Sequence, residues 1–258
     1  MTKNYSTIKV EQKQNIAWIT LSRPEKLNAI NQLMLQELLQ AVDQINEFRK
    51  IRCVVITGEG NKAFSIGADL TELKKLTKEK AADFSIKGQY VFSKIEALAK
   101  PVIAVINGYA LGGGLELALA CDFRIATENS ELGCPEVKLG FLPAWGGTQR
   151  LCVVVGVSDA KRLIIHGDSI RADEALRIGL VDKIISSNRL KIEVEALAQR
   201  LSECPQGMVK HAKSAINSVT KTSFNMGFKR ETEAFVTLFS LKETKEKIAD
   251  FLSQRNKK

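Results

Sequence analysis

The sequence predicts an α/β fold that turns nearly all helical from about Gly156 onward. Two observations predict the first part. Short, largely apolar runs recur along the chain at residues 16–21, 52–57, 101–106 and 123–126, the signature of strands buried on both faces. Between them lie segments with apolar residues at helical spacing, so strands and helices alternate, as they do in a layered α/β core. A third observation predicts the rest: beyond Gly156 the apolar residues keep helical spacing with few strand-like runs.

The elements follow in order. After Met1-Thr2-Lys3-Asn4-Tyr5 the chain enters a strand-like pattern without a signal-peptide core. Ile16–Leu21 reads as a strand that stops at Arg23-Pro24. Residues 32–49 carry Leu35, Leu38, Leu39, Val42 and Ile45 on one helical face. Residues 52–57 form a buried strand closed by Gly58-Glu59-Gly60. A polar helix follows Asp69, and residues 86–98 give a second helical pattern. Residues 101–106 are a third strand, turned by Asn107-Gly108 into a glycine-rich loop, after which 115–121 is helical. Residues 123–126 are a further short strand. The helical candidates that remain are 172–179, 189–202, 209–218 and 226–255. No Gly/Ser linker, low-complexity tract or internal repeat interrupts the chain.

Composition narrows the function classes. The chain has 258 residues, 45% hydrophobic and 26% charged, which is a globular composition. No apolar run approaches the ~18 residues of a membrane span, and a cytoplasmic protein is expected. Cys53, Cys121, Cys134, Cys152 and Cys204 are odd in number, widely spaced and without a Cys-x-x-Cys pair. They are expected to be reduced and mostly buried, with neither zinc nor disulfides. The net charge of +9 suits a polyanionic partner. The densest basic patches, Lys74–Lys80 and Lys257-Lys258, lack interleaved aromatics. The first therefore reads as a solvated helix face, and nucleic acid is not the expected ligand.

Chemistry concentrates in three stretches. In Asn107–Asp122, Gly112-Gly113-Gly114 sits between a buried strand and a helix. Such glycines can bring backbone N–H groups at a helix N-terminus close to a developing negative charge, or can simply let helix and strand pack closely. Glu116 lies one turn in, among Leu115, Leu117, Ala118, Leu119 and Ala120. Buried there, its pKa would rise toward neutrality, where a carboxyl works as acid or base; on the helix's one solvent face it would be ordinary. Glu136, after Pro135, is by itself a loop or cap residue, but with Glu116 it could hold one water between two carboxyls. Phe64–Leu70 opens a helix with Asp69 at the cap, and the N–H of Ala68 could supply a second donor. His166 and His211 fall outside these stretches and read as structural or surface residues.

These stretches, in this order, resemble the crotonase superfamily, the enoyl-CoA hydratase/isomerase family. The resemblance runs from Ser22–Ile30 to Phe251–Arg255 and rests on Phe-x-x-Gly-Ala-Asp, Asn-Gly-Tyr-Ala-x-Gly-Gly-Gly-x-Glu-Leu and Pro-Glu-x-x-x-Gly. It implies a crotonase-like spiral of ββα units over residues 1–195. A helical C-terminal region, 196–258, would build a homotrimer or homohexamer. It implies an oxyanion hole from the N–H groups of Ala68 and Gly113. An acyl-CoA would lie along Lys26, Leu27, Ala29, Ile66, Gly67, Asp69, Leu70, Gly112, Pro135, Ala144 and Trp145. No metal or redox cofactor is implied, coenzyme A being part of the substrate. Glutamates at both 116 and 136 imply hydratase chemistry, Glu116 activating the water that attacks C3 and Glu136 handling the proton at C2. A short acyl chain, crotonyl or acryloyl, is expected, with 3-hydroxypropionyl-CoA dehydration a possible relative of that reaction. An enoyl-CoA isomerase is the alternative within the family, and RNA binding the alternative from another class. Three features depart from the common hydratase pattern: Ala144-Trp145 before Gly146-Gly147, Cys134 before Pro135, and a short C-terminus. Trp145 reads equally as a wall of the acyl pocket or as packing.

Overall fold

Two sheets grow side by side as the chain advances through the computed structural model, which describes residues 4–255, with backbone only over 220–223. Strands β1 (Ile8–Lys13) and β2 (Ile16–Leu21) form an antiparallel hairpin. Beside β2 lie β3 (Cys53–Gly58), β5 (Val102–Ile106), β7 (Phe123–Thr127) and β10 (Lys183–Ile185), each parallel to its neighbour. The second sheet has the order β4 (Ala63–Ser65), β6 (Tyr109–Leu111), β8 (Glu131–Gly133), β9 (Ser169–Arg171), with the last pair antiparallel. The pairs β3–β4, β5–β6 and β7–β8 thus each give one strand to each sheet before a helical segment follows. This is the expected spiral of ββα units.

Helices fill the faces. They are α1 (Gln32–Glu47), α2 (Leu70–Leu73), α3 (Lys78–Glu96), α4 (Gly113–Leu119), α5 (Gly147–His166), α6 (Ala172–Arg177), α7 (Leu190–Glu203), α8 (Gln206–Phe239) and α9 (Lys242–Arg255). Asn31 caps α1 by accepting the Met34 N–H at 2.9 Å. The helix then buries Met34, Leu35, Leu38, Ala41, Val42 and Ile45, a stripe at helical spacing. All five residues of β5 are buried, because both faces of the sheet are covered. Val54, Ile56, Val102 and Ala104 enter the main core with α1 and α3. The alternate residues Cys53, Val55, Ile103 and Val105 pack with Val194 and Ala198 of α7. Phe235, Phe239 and Ile248 of α8 and α9 belong to the main core, so the C-terminal helices are packed on this chain's own body.

The structure differs from the sequence reading in several places, among them helix α5 over 147–166 and a break at Ser240-Leu241 inside the helix expected over 226–255. The second helical pattern begins at Lys78, not 86, because its first turns bury small residues such as Ala81 and Ser85 behind a charged face. The polar helix after Asp69 is only four residues long. Helix α8 runs unbroken from 206 to 239 where two helices were expected; the polar stretch near residue 220 hid its period. Two three-residue strands, β9 and β10, lie in the part expected to be nearly all helical. Lys257-Lys258 lies outside the described residues, while the residues of Lys74–Lys80 other than Leu76 are exposed, as a solvated face requires. All five cysteines are free, and Cys53, Cys121 and Cys134 are buried. Among the described residues no helix is long and apolar enough to cross a membrane.

Candidate active site

A cavity of about 1180 Å³ opens between the 25–29 loop, the start of α2, the turn after β8, and α9. Lys26, Leu27, Ala29, Ile66, Ala68, Asp69, Leu70, Gly112, Gly113, Glu116, Pro135, Glu136, Ala144 and Trp145 all border it. Three sequence stretches far apart in the chain therefore meet at one cleft, because β4, β6 and β8 are neighbours in one sheet and each ends there. Gly67 is not among the residues that border the cavity. Its φ is +89°, and a Cβ there would come within 2.8 Å of Gly113 N and Leu111 O. Glycine at 67 lets backbone approach backbone. Asp69 is held by structure too. Burial raises its pKa, but hydrogen bonds from Thr71 and Arg23 outweigh that and hold it below the ordinary value. His166 and His211 are exposed, away from the cavity lining.

Glu116 stands in the first turn of α4, 2% exposed. Its Oε1 accepts the N–H of Trp145 at 2.8 Å and of Gly147 at 2.6 Å. A Cβ on Gly147 would sit 2.8 Å from that oxygen, so glycine permits the second bond. Burial, then the neighbouring Glu231 and Glu136, push the Glu116 pKa well up, and the two peptide N–H groups oppose the rise. Glu136 lies in a 3-10 turn, Pro135–Leu139, that projects it beneath Gly112. Gly112 has φ +52°, and a Cβ there would be 2.7 Å from Glu136 Oε1. Burial, with Glu231 adding to it, pushes Glu136 up to about 7, and its Oε2 is buried with no hydrogen-bond partner among the described residues. One carboxyl is thus fixed by two donors and the other has an oxygen free. Two carboxyls of raised proton affinity facing one cavity are equipped to pass protons in opposite senses.

The backbone supplies donors between them. Gly113 is the first residue of α4, and the first N–H groups of a helix have no intrahelical acceptor. Ala68 is bridged to Ile30 through Gly67 O and Asp69 N. Its own N–H takes no part in that bridge, and Gly113 lies close by: a Cβ built on Gly113 would be 3.4 Å from Ala68 N.

Trp145 is both wall and packing. It borders the cavity, is 1% exposed, and its Nε1 donates to Phe84 O at 3.2 Å. Its ring lies 5.0 Å from Phe84 and 5.6 Å, edge-on, from Phe92. Phe84, Phe141 and Phe235 complete an aromatic inner wall, and Phe251 and Lys247 of α9 border the cavity too. Ala144 O accepts from Ser85 Oγ at 2.7 Å. Sequence reasoning missed Glu231 of α8, 3% exposed. Its signal was available: Phe224, Phe228, Glu231, Phe235 and Phe239 share one helical stripe, and a carboxylate inside an apolar stripe needs partners.

Known proteins resemble this chain along nearly its whole length. The family model described as enoyl-CoA hydratase/isomerase matches residues 11–258. A crotonyl-CoA hydratase of Syntrophomonas wolfei subsp. wolfei is 42% identical over 251 residues, covering 97% of this chain and 96% of the relative. A short-chain-enoyl-CoA hydratase of Clostridium acetobutylicum is 40% identical over 246 residues, covering 95% of this chain and 94% of the relative. The crystal structure of an enoyl-CoA hydratase from Bacillus anthracis superposes with a TM-score of 0.81 at 36% identity, covering 96% of this chain and 97% of that one.

Proposed function

The chain belongs to the enoyl-CoA hydratase/isomerase family, and from that premise we infer that it is a short-chain enoyl-CoA hydratase. It adds water reversibly to a 2-enoyl-CoA, giving the 3-hydroxyacyl-CoA. The observation that carries the reading is the pair Glu116 and Glu136, both buried and both raised in pKa on the floor of one cavity. An isomerase needs one such group to move a proton; water addition uses two.

In this reading the thioester oxygen sits between the N–H groups of Ala68 and Gly113, which stabilise the negative charge it gains. Ionised Glu116 takes a proton from water as its oxygen bonds to C3, and protonated Glu136 gives its proton to C2. One water is consumed and the proton held by the pair has passed from Glu136 to Glu116, to be exchanged back with solvent. The coenzyme A part would leave the cavity past Lys26, whose charge suits phosphates. The aromatic wall of Phe84, Trp145 and Phe235 supports a short acyl chain. We further propose a homotrimer or homohexamer, supported by the exposed apolar residues Ile216, Val219 and Met226 of α8, and a cytoplasmic location. The test of the activity is loss of the conjugated enoyl-thioester absorbance when the protein meets crotonyl-CoA. Rapid loss is expected. No loss at high enzyme concentration would set the hydratase reading aside.

A further inference from the structure

Helix α5 begins at a turn whose four consecutive peptide N–H groups are shared alternately between two carboxylates. Trp145 and Gly147 donate to Glu116 Oε1, at 2.8 and 2.6 Å. Gly146 and Thr148 donate to Glu231, at 2.6 and 3.1 Å. Glu231 also accepts from the Thr148 hydroxyl and, at 3.0 Å, from Gln89 Nε2 of α3. Four donors on one carboxylate that is 3% exposed is far more than a packing contact requires.

We propose that Glu231 is a positioning residue for the hydration reaction: arriving from the C-terminal helix α8, it locks the Gly146–Thr148 turn and through that turn fixes Glu116. The proposal rests on the hydratase reading of the site. Its logic is geometric. Successive N–H groups of the turn point to opposite sides, so a carboxylate gripping one pair sets where the other pair points. Glu116 has no other hydrogen-bond donors among the described residues. Release of Glu231 would remove the anchor of two of the turn's four N–H groups and let the Glu116 donors shift. Arg150 of α5 holds the same turn from behind, donating to Trp145 O at 3.1 Å and pairing with Glu96 at 3.0 Å.

Burial raises the proton affinity of Glu231 itself, and the bonds from Thr148, Gln89 and Gly146 oppose that rise; in its charged form it has a second effect. The titratable and charged groups around it are Glu116 on α4, Glu136 and Cys134 after β8, and Arg150 on α5, with neutral Gln89 on α3. Glu231 is a cause of the raised proton affinity of both Glu116 and Glu136. Removing its charge should therefore lower both, moving the whole pH–rate profile to lower pH. A glutamate whose charge did not reach the two acids would leave that profile where it is, and the fall in kcat at unchanged KM is the part that reports positioning.

The experiment measures kcat, KM and the pH–rate profile with crotonyl-CoA for wild type, Glu231→Gln and Glu231→Asp, with thermal melting to establish folding. Glutamine cannot accept from all four donors. We expect kcat of Glu231→Gln to fall by up to about 100-fold, as misplacement of a catalytic group can cost. KM should change little, and the profile should move to lower pH. Glu231→Asp, which restores charge, should return the profile toward wild type. Thr148→Val, which removes the hydroxyl's bonds to Glu231 and Gln149 and no charge, gives a milder loss in kcat and serves if Glu231→Gln does not fold. An unmoved profile with kcat unchanged in the folded variants overturns the proposal. A wild type without activity on crotonyl-CoA overturns the hydratase reading, and this proposal with it.

Discussion

Replacing Gly88 by alanine tests whether Trp145 is wedged in place. By helix propensity alone the change should help, since alanine inside a helix is better than glycine by up to ~1 kcal/mol. The structure opposes it. A Cβ at Gly88 would fall on Cγ, Cδ1 and Nε1 of the indole. The ring cannot retreat, because its far edge, Cε3 and Cζ3, lies against Gly113, with Phe84 and Phe92 beside it. Overpacking of this kind costs about 1–3 kcal/mol, so with the propensity gain taken off the net effect is a loss of up to about 2 kcal/mol. For a chain this long that is a fall in melting temperature of up to about 8 °C. Function should suffer as well. The displaced ring presses on Gly113, and the Trp145 N–H is one of the two donors to Glu116, so kcat/KM on crotonyl-CoA should drop, by up to about 100-fold. Adding Trp145→Ala should cancel the stability cost of the alanine at 88, a coupling readable by a double-mutant cycle. A Gly88→Ala protein that melts higher than wild type with unchanged kcat/KM would refute the wedge.

Two further outcomes follow. Trp145→Ala should cost about 3–5 kcal/mol. It should also open the inner wall, raising kcat/KM for 2-hexenoyl-CoA relative to crotonyl-CoA by roughly tenfold, at ~0.8 kcal/mol for each of two methylenes. An unchanged ratio would place the chain-length limit elsewhere. Glu136→Gln should lose activity yet gain stability at high pH. The folded-state pKa of Glu136 is raised from 4.5 to about 7, so the folded protein holds a proton the unfolded chain releases. Its contribution to stability therefore falls as pH rises from about 4.5 through 7, by about 3 kcal/mol. Melting curves at pH 5 and pH 8 should show the glutamine variant gaining on wild type only at the higher pH.

Much of the fold was legible because buried parallel strands and amphipathic helices leave long patterns. Val102–Ile106 and α1 could be read almost to the residue. The second sheet was harder: β4, β6, β8 and β9 have three residues each, too few to show a period of two. Glu116 was legible because an acid in an apolar helix is costly unless it has a purpose. Glu136 by itself reads as a loop or cap residue; its role came from the pairing with Glu116 and the family resemblance, and the fold sets it beneath Gly112. Glu231 was missed because Lys229-Arg230 and Glu233 surround it with ordinary surface charge. The apolar stripe marks Glu231 as a residue that needs partners, but which partners meet it depends on how α8 lies across α3 and α5, which local pattern does not encode.

The central claim is that Glu116 and Glu136 move the protons of water addition. Its most direct test is turnover of crotonyl-CoA by Glu116→Gln and by Glu136→Gln, followed by enoyl-thioester absorbance. Each variant should bind the thioester as wild type does and turn it over ~10²-fold or more slowly, as expected for a lost acid–base group. Near wild-type turnover in either folded variant would contradict the role assigned to that glutamate.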